Sequence, residues 1–215
     1  MRKGMRAWGS TEEADPAAMG DDNPMAPPSP TTDGSNRDGL HIHFYEIVSP
    51  SSTLSFSKAL RAAQDASLNA QMRISFDLGV DLPMPPIHLH IMSPGGDVSS
   101  GLACYDLIRA SKVPIHTHVE GAAASAATLL SLAGTHRTIG ANATMLIHQL
   151  SGGTWGKLKA MKEDIVNWDL MMRQIKAIYM TRAKFAEQEL AELLERDLLL
   201  DPETCLRLGL VDEVR

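Results

Sequence analysis

An α/β fold built on a largely parallel sheet is what this sequence predicts, and three observations carry the prediction. Short β-type runs alternate with segments of helical periodicity from residue 41 to the end. The chain has 215 residues, enough for one domain with a sizeable core. Its composition, 44% apolar and 21% charged, is that of an ordinary globular protein.

The elements follow in order. HIHFYEIV, from residue 41, reads as a strand, and SPSSTLSFSKALRAAQDA as a helix opened by serine caps with Leu60 and Ala63 in phase. QMRISFDLGVDLPMPP carries prolines that end regular structure, so it reads as an insertion or surface loop. PIHLHIMS is a strand, SPGGDV a glycine turn, and VSSGLACYDLIRAS a helix with Val98, Leu102, Tyr105 and Ile108 on one stripe. VPIHTHVE is a strand and GAAASAATLLSLAG a helix of small residues closed by Gly134. HRTIGANATMLIHQL reads as two strands around a GAN turn. A long helix is predicted over 157–182, where Leu158, Met161, Ile165, Trp168, Met172, Ile175 and Tyr179 recur at three or four residues. It is too long for a small sheet, so its stripe is expected to overhang and pack on a partner subunit. FAEQELAELLERD is a shorter helix, and DPETCLRLGL a last one with Asp201 as N-cap, Pro202 at N1 and Gly209 just past its end.

Several function classes are excluded or disfavoured by composition. A net charge of −6 gives no basic face for nucleic acid. No apolar run is long enough to span a membrane, and the basic start lacks the apolar core of a secretory signal. Cys104 and Cys205 sit in apolar helical patterns without metal-type spacing, so two reduced, buried thiols and a cytoplasmic setting are expected. Residues 1–40 are rich in Gly, Ser, Thr, Asp, Asn and Pro without periodicity, and are read as a disordered N-terminal arm.

Candidate chemistry gathers at a few positions. Ser125 lies where a strand meets a helix start, which offers exposed N–H groups to a reacting oxygen, although such a serine is as a rule a cap or packing residue. Gly95 and Gly96 let the backbone approach a ligand closely; a plain turn is the competing reading. His148 ends an apolar strand as either a base or a structural group. Asp197 follows a helix end where charges are ordinarily solvated. Six histidines form three HxH pairs, His41 and His43, His88 and His90, His116 and His118, each pair on one face of its strand. They are read as polar alternating positions without a metal, since no acidic partner is evident nearby.

Together IMSPGGDVSSGLACYDLI, GAAASAATLLSLAGTHR, MLIHQLSGG and ERDLLLDPETCLRLGLVDEV, in this order, resemble the ClpP family of Clp protease proteolytic subunits over residues 41–215. The segment IHTHVEGAAASAATLL is more similar to phage-encoded Clp-like subunits than to bacterial housekeeping ones. The resemblance implies a ClpP/crotonase-like fold with a mainly parallel sheet, surrounding helices and a protruding handle helix. It implies a cytoplasmic serine endopeptidase with Ser125 as nucleophile, His148 as base, Asp197 as orienting acid, and Gly96 and Ala126 N–H groups as oxyanion hole. Arg196 falls on the family's inter-ring arginine. The implied assembly is a homo-oligomer of two stacked heptameric rings acting on polypeptides, with no cofactor, and ATP entering only through a partner AAA+ unfoldase. Against the family pattern, Ala126 and Ala127 replace Met-Gly, Trp155 follows the SGG segment, and residues 1–40 lack the pore-lining hairpin. Two other classes stay open: a non-catalytic subunit of a mixed ring, and a crotonase-type acyl-CoA enzyme.

Overall fold

The computed structural model describes residues 37–215. The arm expected over 1–40 lies outside these except for its last four residues. Of those, Arg37–Asp38 is strand β1, which pairs antiparallel with β2, His41–Phe44, across a turn at Gly39. In β2, Ile42 and Phe44 are buried while the intervening histidines face the other way, as strand alternation requires.

Helix α1 spans Pro50–Leu78 and opens with a capping box between Ser49 and Ser52. Its buried stripe is Ser52, Phe56, Leu60, Ala63 and Ser67. The helix runs twelve residues beyond the sequence reading, taking in the first half of the expected loop. The prolines that suggested a loop begin only at Pro83; the stop is Gly79, in the left-handed region at φ 65°. The returning segment is then tied to the helix by side chains: Ser67 Oγ donates to the Pro85 carbonyl at 2.6 Å, and Leu82 N–H to Ser75 Oγ at 3.2 Å.

Strand β3, Ile87–Ser93, leads into α2, Val98–Arg109, whose N-cap Asp97 accepts from Ser100 N–H at 2.7 Å. Strand β4 is Ile115–Ala124, longer than the sequence suggested, and α3 is confined to Ala127–Ala133. The alanines of GAAA favour helix by propensity, but here they are held as strand by β6, Thr144–Leu146, through the pairs Ala122↔Thr144, Ala123↔Met145 and Ala124↔Leu146. Strand β5, His136–Ile139, pairs with the first half of β4. The two strands around the GAN turn therefore do not face each other; both lie parallel to β4, one after the other along its length.

Helix α4, Leu158–Arg182, buries only Ile175 and Tyr179, near its C-terminal end. Toward its N-terminal end Leu158, Ile165, Val166 and Leu170 are exposed, so the predicted overhang is present. Helix α5, Glu187–Leu194, strand β7, Leu199–Leu200, helix α6, Pro202–Arg207, and strand β8, Glu213–Val214, complete the chain. Asp201 caps α6, and Gly209 takes φ 67°, as predicted.

The sheet order is β1-β2-β3-β4-β5-β8, with β6 and then β7 attached beside the far half of β4. Every pairing is parallel except β1 with β2 and β6 with β7. The parallel register puts His41, His88, His116 and His136 in one row and His43, His90 and His118 in the next. Burial first, and neighbouring cationic groups next, holds His43, His88 and His116 below the ordinary imidazole range and His118 down at about 3. These rings therefore pack as neutral groups at pH 7.

The C-terminal end is bolted on by Arg137. Its guanidinium meets Asp212 Oδ1 at 2.6 Å and donates to the carbonyls of Arg182 and Gly209. Both cysteines are free and buried, and burial pushes the Cys205 thiol up to about 12.

Candidate active site

The fold brings the predicted residues to the C-terminal end of β4. Ser125 follows that strand directly and adopts φ 52°, the one non-glycine residue with positive φ among those described. A side chain in this region costs roughly 1–2 kcal/mol, which the surroundings must hold in place. They do so from both sides. Ser125 N–H donates to the Leu146 carbonyl of β6 at 2.8 Å. The Ser125 carbonyl accepts from Thr128 N–H at 3.0 Å and from Thr128 Oγ1 at 2.6 Å. Thr128 Oγ1 in turn meets the buried Tyr179 hydroxyl of α4. The sequence placed Tyr179 on an apolar stripe but gave no sign of this support, because the pairing spans 51 residues.

Gly95 and Gly96 lie against that turn. A Cβ on Gly95 would stand 2.6 Å from the Ala124 carbonyl and 2.7 Å from Ser125 Cβ. Gly96, at φ 145°, packs on Val48, and a Cβ there would stand 2.2 Å from the Val48 carbonyl. Two backbone bonds clamp this contact: Val48 N–H to the Gly95 carbonyl and Asp97 N–H to the Val48 carbonyl, both 2.8 Å.

Ser125, Gly96, Ala126 and His148 line one cleft of about 50 Å³, with Leu129, Leu150 and Ile175 as apolar wall. A wider groove continues from it past Gly96, Leu150 and Ser151 to Gly152, Trp168 and Met171. Trp155 is almost fully exposed.

His148 and Asp197 flank a short strand pair. In the antiparallel pair of β6 and β7, Met145 faces Leu200 and Leu146 faces Leu199. His148 lies two residues past the end of β6, and Asp197 two residues before the start of β7. The chain is fastened there by Gln149 N–H, which donates to the Leu194 carbonyl at 2.8 Å. His148 Nδ1 lies 3.8 Å from Asp197 Oδ1, beyond hydrogen-bond length, and the Asp197 side chain is 82% exposed. Among the described residues no hydrogen bond joins the Ser125 hydroxyl to His148. Arg196, next to Asp197, is exposed and borders a surface depression with Glu189, Glu192 and Arg207.

A mainly parallel sheet that ends a central strand in a left-handed serine, set against a glycine turn and sharing a cleft with a histidine, defines a ClpP/crotonase-like α/β protein. The sequence model described as Clp protease matches residues 43–215, and the chain belongs to the Clp protease family, a family of peptidases. The fold is similar to a solved structure of a ClpP1 point mutant from Listeria monocytogenes, at 20% identity and a TM-score of 0.69, over 83% of this chain and 92% of that one.

Proposed function

We propose that this chain is a serine endopeptidase subunit of a self-compartmentalising Clp-type protease. The observation that carries the reading is the strained Ser125 turn, which presents its hydroxyl to the cleft bordered by His148 and by the backbone of Gly96 and Ala126. In this reading Ser125 Oγ attacks the peptide carbonyl. His148 takes the proton and returns it to the leaving amine. Asp197 holds the imidazole in the required tautomer. The developing oxyanion is received by the N–H groups of Gly96 and Ala126, each such donor contributing about 3 kcal/mol to the transition state. This chemistry needs no cofactor. The groove toward Trp168 suits an extended polypeptide, whose backbone would lie beside the Gly96 turn.

The exposed apolar end of α4 and the exposed Arg196 and Asp197 support assembly into rings, two heptamers stacked in the form the family implies, with an AAA+ unfoldase as supplier of substrate. Contact across rings would hold Asp197 closer to His148 than 3.8 Å. A non-catalytic subunit would have no use for the strain at Ser125. A crotonase-type acyl-CoA enzyme would place acidic residues at the cleft, where Ser125 and His148 stand instead.

A serine-directed phosphonate should label the assembled protein at Ser125, and a small fluorogenic peptide should be turned over. An assembled particle that takes no label and cleaves nothing would refute the assignment. Replacing Arg196 by Ala is expected to separate the rings, so that native mass falls to that of a single ring; an unchanged particle mass would remove Arg196 from the interface.

A further inference from the structure

The histidine-bearing face of the sheet lies on strands β2, β3, β4 and β5. Its rings are neighbours rather than merely aligned: His41 stacks on His88 with centroids 4.8 Å apart, His43 on His90 at 4.7 Å and His88 on His118 at 5.2 Å. Two contacts repeat one geometry. His41 Nδ1 stands 2.9 Å from His90 Nε2, and His88 Nδ1 stands 2.9 Å from His118 Nε2. Each runs diagonally from one strand to a residue on the next strand.

In both pairs the second ring is fixed from behind. His90 Nδ1 donates to Glu120 Oε1 at 2.7 Å, and Glu120 also accepts from the Tyr45 hydroxyl. His118 Nδ1 lies 2.8 Å from Thr138 Oγ1. With the proton on Nδ1, which the Glu120 carboxylate requires of His90 and which Thr138 Oγ1 can accept from His118, Nε2 of the ring is left as a bare lone pair aimed at the partner imidazole. A carboxylate behind a histidine is the arrangement that orients metal-ligating imidazoles. The acidic partner that the sequence did not reveal is thus Glu120, brought next to His90 by the β3–β4 pairing.

We propose that this face binds divalent transition-metal ions at two paired-imidazole sites, His41 with His90 and His88 with His118. The cation takes the place of the shared proton, which moves to Nε2 of His41 and of His88, so each ring still carries one proton. Ions of the zinc type sit about 2.0–2.1 Å from imidazole nitrogen. Tetrahedral binding then needs the paired nitrogens about 3.3 Å apart, a widening of a few tenths of an ångström that ring rotation supplies. Among the described residues no three His, Cys, Asp or Glu side chains converge as a ligand set. Water therefore completes each shell, entering past His41, which is exposed, at one site and past His88, which is partly buried, at the other. Neutral nitrogen donors select zinc, nickel or copper over magnesium and calcium.

The test is equilibrium dialysis of the untagged full chain against zinc or nickel chloride near neutral pH, with magnesium as control. Wild type is expected to hold two ions per chain and no magnesium. His41→Gln and His88→Gln should each lose one ion, and the double variant both; His41 is exposed and His88 only partly buried, so these substitutions spare the core. Circular dichroism checks that each variant is folded. A second readout keeps the proposal testable if a variant fails to fold: in wild type, zinc should shift the imidazole nitrogen resonances of the four named rings and leave His148 unmoved. Wild type without bound zinc or nickel, or uptake that survives in the folded double variant, overturns it.

Discussion

Ser125→Ala should lose peptide hydrolysis by about a million-fold while the protein keeps its fold and its assembled mass. The first half of the expectation comes from how linked nucleophile and base behave. Removing either one costs nearly as much as removing both, and leaves only the small rate that binding and the oxyanion donors supply. The second half comes from the surroundings of the side chain. The bonds that hold the Ser125 turn use its main chain, through Leu146 and Thr128, and none of them uses the hydroxyl. Alanine suffers the same strain at φ 52° as serine, so stability should stay within about 0.5 kcal/mol. Initial rates with a fluorogenic peptide, set beside native mass and a denaturant curve, separate the outcomes. A rate within tenfold of wild type would show that another group attacks the substrate.

Gly96→Ala is expected to be the most damaging small substitution near the cleft. Its Cβ would enter the Val48 carbonyl at 2.2 Å and approach Ile47 Cγ2 at 2.9 Å, at a φ of 145° that L residues avoid. The nearest obstacle is the Val48 main chain, and the two bonds around Val48 prevent it from moving aside. Strain and overpacking together should cost about 3 kcal/mol or more, which for a chain of this size lowers the melting temperature by roughly 6–12 °C. Activity should fall further than stability, because the Gly96 N–H changes direction with the turn. A variant with wild-type melting and wild-type rate would mean that the turn is loose and that its N–H takes no part in the reaction.

Much of the fold was legible in the sequence because local signals agreed with tertiary demands. The stripe on α4, the cap at Asp201 and the glycine beyond α6 each state a local preference that packing then uses. Where the two conflict, the sequence misleads. The alanines at 122–124 prefer helix but are paired with β6, and the loop inferred from Pro83 to Pro86 hid a helix that runs to Leu78. The site shows the same division. Ser125, His148 and Asp197 were proposed through motifs, but that His148 and Asp197 lie near each other depends on β6 meeting β7, which no spacing along the chain encodes. Likewise the HxH alternation was plain, whereas the stacking of one pair on the next depends on three strands meeting in step.

Strand β6 touches β4, which leads into Ser125, on one side and β7 on the other, so both ends of the proposed relay are measured from the same three residues. Sliding β7 by a single position, about 3.4 Å, would turn the carboxylate to the opposite face of the ribbon. Under the proposed mechanism, a molecule with every reacting group intact would then be inert from misalignment alone, and the two-residue β7 would matter for turnover as much as Ser125 and His148.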